Sequence, residues 1–192
     1  MSQRPGGSDD APENDGGRFD RLPATAADRR VPGRATRAEV LDWWDERFGV
    51  PPETFDGHTF WEKGSGKLWA FADDVPSPID VEGVGMTFLR TRQEHWKPTT
   101  TAVKRWGRLA TRNVVTLSPG EASAFAAGHD QALPRWDGDW GYLVAAHELA
   151  GDPEPIGVGL YVHGELRSVV PKGYQEELPD LSAADAGAAR SE

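Results

Sequence analysis

Apolar positions along the chain recur with helical spacing in three stretches and with alternating spacing in several others. This pattern predicts a mixed α+β fold. Val40, Leu41, Trp44 and Phe48 fall on one helical face. Thr36-Arg37-Ala38-Glu39 precedes them as a capping box, in which a hydroxyl and a carboxylate satisfy amides that the first turn leaves open. Gly49 marks the stop, and Pro51-Pro52 forbids continuation. A second helix is predicted over residues 99–109, with Ala102, Val103, Trp106, Leu109 and Ala110 on its apolar face. A third opens at Ser118-Pro119-Gly120-Glu121, with proline at the first helical position, and ends near Gly128.

Residues 55–60 and 67–71 read as strands around a Gly64-Ser65-Gly66 turn, with Trp61 and Trp69 as their aromatic core contribution. Residues 86–92 alternate, and 113–117 and 141–147 are short apolar runs, so all three are predicted strands. Residues 75–84 hold two prolines and are expected to be irregular or an edge. The stretch 156–173, IGVGLYVHGELRSVVPKG, reads as two strands joined at His163-Gly164. Gly157 and Gly159 leave one face of its first strand bare, which marks close approach of another backbone or a ligand. Residues 1–33 lack an apolar period and are expected to be a disordered tail, and 179–192 a flexible one. This order divides the chain into a small α+β unit over 34–84 and a strand-rich barrel with two helices over 85–178.

The length of 192 residues suits one ordinary domain or two small ones. Without cysteine, disulfides, thiolate zinc sites and thiol nucleophiles are excluded. No apolar run of membrane-spanning length and no secretory leader is visible, so a cytoplasmic protein without membrane partners is expected. The net charge is -10, and only 5 of the 21 basic residues are lysine. Acidic excess with scarce lysine suggests a salt-adapted proteome, as in a halophilic archaeon; the alternative is an acidic mesophilic protein.

Against that acidity stands a basic island. Arg90, Arg92, Lys97, Lys104, Arg105, Arg108 and Arg112 lie between residues 86 and 112 with only Glu94 opposing them: seven positive minus one negative is +6. Such a patch commonly neutralises phosphates. His95, Trp96 and Trp106 lie in the same window as candidates for stacking on unpaired bases. The competing reading is a solvated helix face whose cations pair with nearby carboxylates.

The GxGxxxxGxLxSxxPKG pattern from Gly157 to Gly173 resembles the PUA-like C-terminal domain of Sun-type RNA cytosine-C5 methyltransferases, the RsmF group. The segments KPTTTAVKRWGRLATRNVVTLSPGEASAFAAG and GYLVAAHELAG follow the family's order, while the first half resembles it only through RFGV and GKLWAF. The resemblance implies a PUA-like small mixed β-barrel with flanking helices, preceded by a small α+β domain. It places Arg167 and Lys172 near the RNA-contacting surface, and it aligns Gly128-His129-Asp130-Gln131 with a loop that receives a nucleotide. The plain readings there are a strand-end lysine and a helix-capping glycine. The family's cysteine nucleophile is absent, as is an S-adenosylmethionine motif.

None of the five histidines stands in a metal-ligand spacing, and no cofactor is expected. Asp137 and Asp139 in RWDGDW read as a turn rather than a carboxylate dyad. The expectation is therefore a non-catalytic RNA-binding protein. Its partners would be structured rRNA or tRNA and, by resemblance, a separate methyltransferase subunit. The alternatives are a barrel binding a small molecule or modified nucleobase, enzymatic through Asp137, Asp139 and His147, and a protein adaptor in an assembly particle.

Overall fold

The computed structural model describes residues 17–175 as a mixed α+β arrangement of two five-stranded sheets. The first is an antiparallel meander of β1 (Phe19–Arg21), β2 (Thr59–Lys63), β3 (Lys67–Phe71), β4 (Met86–Arg90) and β5 (Lys97–Pro98), in that order. The expected strand at 55–60 is displaced. Pro52–Phe55 forms a 3-10 turn, and β2 begins only at Thr59. Along β2 and β3 the period of two sends Phe60, Leu68 and Ala70 into the main core, and Trp61 and Trp69 to the opposite, outer face. There Trp61 is buried with Phe19 and Val84, and Trp69 packs on them half-buried. Residues 75–84, irregular as expected, lie over this cluster, with Ile79 bridging Phe19.

The expected tail differs at its C-terminal side. Residues 17–33 contain β1 and a 3-10 turn at Ala26–Asp28, whereas residues 1–16 and the tail at 179–192 lie outside the described residues. Two side chains hold the segment down, Phe19 at 1% and Leu22 at 5% exposure. Two apolar residues make no period, so the sequence pattern missed them.

Helix α1 (Arg37–Phe48) follows its local signals. Thr36 Oγ1 accepts from Glu39 N at 3.1 Å, Glu39 reaches back to Thr36 N at 2.9 Å, and Gly49 closes the helix in the left-handed conformation. Val40, Leu41, Trp44 and Phe48 are buried as expected. Helix α2 (Thr100–Trp106) is capped by Thr99 and buries Ala102, Val103 and Trp106. It tightens into a 3-10 turn at Gly107–Leu109, which turns Leu109 outward to 49% exposure rather than onto the apolar face.

The second sheet runs β6 (Val114–Leu117), β8 (Gly141–Leu149), β9 (Asp152–Val162), β10 (Glu165–Ser168) and β7 (Gln131–Ala132). Only β6–β8 is parallel. Its edges are β6 and β7, so among the described residues no ladder closes the expected barrel. The β9–β10 turn is the expected one: His163 and Gly164 both take positive φ, 53° and 84°, the backbone of a tight hairpin. Helix α3 (Pro119–Ala126) has the expected Ser118 cap, and α4 (Lys172–Gln175) ends the described chain. The bare face of β9 admits neither backbone nor ligand. A Cβ at Gly159 would stand 2.5 Å from Leu166 Cδ1, and one at Gly157 3.1 Å from the ring of Phe125.

The sheets share a core. Trp44 stacks on Phe88 at 5.0 Å and meets Trp106 edge-on, and the same cluster takes in Val144 of β8 and Val158 of β9. The expected boundary at 84/85 falls inside the first sheet, since β4 pairs with β3.

Candidate functional site

Three cations stand side by side on the outer face of the first sheet. Lys67 lies opposite Arg90, and Arg90 opposite Lys97, across β3, β4 and β5. Directly opposed residues in an antiparallel pair point to the same face, and like charges so placed repel. Burial and then the neighbouring Arg90 hold the Lys97 ammonium below the ordinary lysine range. Among the described residues none of the three joins an ion pair, although the Lys67 ammonium sits 4.7 Å over the Trp69 ring. Arg92 follows β4, exposed, with its backbone against Gly66. The turn beside it is braced from below. Buried Glu62 accepts from Gly66 N at 2.6 Å and pairs with Arg34 Nε at 2.7 Å, and Arg34 also reaches Asp20 at 3.4 Å.

The rest of the island lies elsewhere. Helix α2 packs against the core face of the first sheet, opposite the face that carries Arg90. Lys104 and Arg105 are exposed on it, and Arg105 stands 5.5 Å over the Trp106 ring. Arg108 makes a two-pronged pair with Glu154, through Nε at 2.9 Å and Nη2. That pair raises the arginine's pKa and lowers the carboxylate's. Arg112 reaches toward the Glu46 carbonyl at 3.5 Å, and its amide donates to Phe48 O at 3.0 Å, so it serves the open C-terminus of α1. The island is thus two cations of a sheet row, Arg92 just beyond it, two residues on a helix, and two arginines engaged within the fold.

The residues named by resemblance lie on the second sheet and after it. Arg167 is exposed on β10 and pairs with Glu165 at 3.3 Å, and Lys172 opens α4. In the Gly128-His129-Asp130-Gln131 loop only the glycine is closely covered, since a Cβ there would stand 2.2 Å from the Gln175 amide, whereas His129 and Asp130 are exposed. The acids of the RWDGDW loop and His147 do not converge. The backbone turn lies at Pro134-Arg135, closed by Trp136 N donating to Leu133 O at 3.1 Å, while the Trp136 ring folds over Gly138 and donates to Asp139 O at 3.2 Å. Asp139 lies just before β8 begins, whereas His147, six residues into the strand and roughly 20 Å along it, bonds Leu117 O at 2.9 Å. Among the described residues no group of three or more His, Asp or Glu could hold a metal, and no helix is long and apolar enough to cross a membrane.

Trp96 belongs to a different feature. Successive strand residues alternate faces, so Lys97 turns to the cation row while Trp96 packs toward the main core beside Trp43, ring centres 6.3 Å apart. These two rings, with Trp140 and Tyr142, line an open cleft of about 450 Å³ between α1, the β4–β5 loop and the start of β8. Its rim carries Asp42, Glu46 and Glu94. Arg47 lies at its floor, its Nε donating to Tyr142 O at 2.8 Å and its Nη1 3.9 Å from Asp139. Burial pushes that guanidinium's pKa down, and Asp139 opposes the shift. Sequence reasoning missed this cleft. The available signal was Trp43, a large ring off the apolar stripe of α1.

Residues 7–85 match the model of a family described only as a family of unknown function, DUF7122. No curated protein matches the chain. The family match ends at Gly85, one residue before β4 and short of two of the row's three cations.

Proposed function

We propose that this chain is a non-catalytic, cytoplasmic RNA-binding protein that uses the outer face of its first sheet to hold phosphates. In this reading the second half is a PUA-like unit. The RNA is rRNA or tRNA, in ribosome biogenesis or RNA modification, and a separate methyltransferase subunit is the partner that the resemblance implies. The observation that carries the reading is the row Lys67, Arg90 and Lys97, three neighbouring cations with no ion pair among the described residues, in a chain of net charge -10. Setting like charges opposite one another costs stability, and a bound polyanion removes that cost. Trp69 beside Lys67 leaves only part of its ring in solvent, so any base contact there would be to that remaining edge.

The test is an RNA-binding titration at several salt concentrations. Log affinity should fall linearly with log salt, and Arg90→Ala and Lys97→Ala should each weaken binding and flatten the slope by about 0.7 for a single-stranded contact. Arg108→Ala should leave the slope unchanged, because Glu154 already holds that side chain. A flat slope in the wild type, or a folded Arg90→Ala/Lys97→Ala variant that binds like wild type, overturns the reading. Methyl label passing from S-adenosylmethionine to RNA with the isolated chain would overturn its non-catalytic part.

A further inference from the structure

We propose that the aromatic cleft beside α1 binds a methylated ammonium group. Three observations converge on it. The first is the wall: Trp43, Trp96, Trp140 and Tyr142 come from three separate segments and line one space. Ring faces attract cations, tryptophan most strongly. The second is the charge of the rim. Asp42, Glu46 and Glu94 are exposed, and among the described residues none joins an ion pair. Glu39, deeper on the same helix, is already engaged by Arg29 and the Thr36 amide. Arg47 on the floor donates through Nε to the Tyr142 carbonyl and lies 3.9 Å from Asp139, with its Nη2 buried and unpartnered, but its single positive charge stands against the three rim carboxylates and leaves the cleft net negative. The third is Trp140, 59% exposed and resting edge-on against His163 at 4.5 Å, a large ring left largely in water.

This chemistry selects its occupant. Phosphate is repelled by the rim, so the cleft does not extend the RNA-binding face. A metal ion or a bare ammonium binds water strongly, and indole faces replace that water poorly. A methylated ammonium carries the same charge on a larger, weakly hydrated surface that fits between rings, with carboxylates beyond them to hold the charge. A cleft of about 450 Å³ holds such a group and the chain that bears it. Two sources offer the group: a free small molecule, or a methylated lysine side chain of a protein.

The experiment titrates the full chain with choline, with its neutral carbon isostere 3,3-dimethylbutan-1-ol, and with a short peptide bearing trimethyl-lysine, reading tryptophan fluorescence. Choline or the peptide should saturate the signal, with the isostere weaker by about tenfold. Trp140→Ala and the triple change Asp42→Asn, Glu46→Gln, Glu94→Gln should each reduce affinity several-fold. All four residues are exposed, so these variants are expected to fold, and circular dichroism checks that they do. A peptide much tighter than choline identifies a protein side chain as the source, and choline equal or tighter identifies a free small molecule. Equal binding of the isostere, absence of saturation by both cations at millimolar concentration, or wild-type affinity in the folded variants overturns the proposal. The Arg90→Ala/Lys97→Ala protein should keep this binding, so failure here is distinct from failure of the RNA reading.

Discussion

Glu62 sits 4% exposed beneath the β2–β3 turn, with one oxygen on the Gly66 amide and the other on Arg34. Glu62→Ala removes both contacts and leaves a largely buried guanidinium short of a partner, so urea unfolding should show a loss on the order of 3–5 kcal/mol. Glu62→Gln, which keeps an acceptor for the amide, should lose less. His58 makes a second residue-level prediction. Its ring meets Phe55 and Trp106 edge-on, and burial, then the charge of Arg105, hold its pKa below the ordinary histidine value. The unfolded chain therefore binds more protons on the acidic side of about pH 6.5. The stability associated with the neutral ring is complete above that pH and is lost as pH falls through the folded value. His58→Gln should flatten the melting temperature against pH across that window, and an unchanged profile would reject the assignment. Thr36 and Glu39 could be read from the sequence because a capping box closes within four residues. Glu62 could not, because Arg34 lies in a segment with no apolar pattern.

Helix α1, with both caps and its apolar face encoded locally, was legible in full, as was the β9–β10 hairpin with its His163-Gly164 turn. Strand β1 was not, because its three residues gain their structure from β2, some forty positions away. The glycines of β9 were correctly read as a bare face, but the sequence could not say that α3 and Leu166 would fill it. That packing gives a test at the level of the element. Gly159→Ala places a methyl group 2.5 Å from Leu166 Cδ1 on the core face of the sheet, so the sheet must shift or Leu166 must leave its rotamer. Chemical denaturation should show a loss of about 1–3 kcal/mol.

At the scale of the molecule, the basic island illustrates the limit of linear reading. Seven cations within 27 positions looked like one patch, yet the fold sends Arg90 and Lys97 to one face of a sheet, Arg92 to the exposed segment after it, Lys104 and Arg105 to a helix on the other face, and Arg108 and Arg112 into contacts of their own. Charge density along a chain is visible in sequence, whereas the side of a sheet on which it emerges depends on register. Beyond the off-stripe ring of Trp43 the aromatic cleft left no trace in the sequence, since its three segments meet only when the two sheets pack. The common core predicts one cooperative transition. Tryptophan fluorescence and far-ultraviolet circular dichroism should give coincident melting curves, and a fragment ending at Pro98 should fail to fold alone. Two separate transitions would contradict this. The order of synthesis makes that dependence a matter of time. The inner face of the first sheet waits for Val144 and Val158, and Val158 leaves the ribosome sixty residues after Pro98. At about 5–20 residues per second this is roughly 3–12 s, during which Phe60, Phe88 and Trp44 lack their final cover and a nascent-chain chaperone would find its binding site.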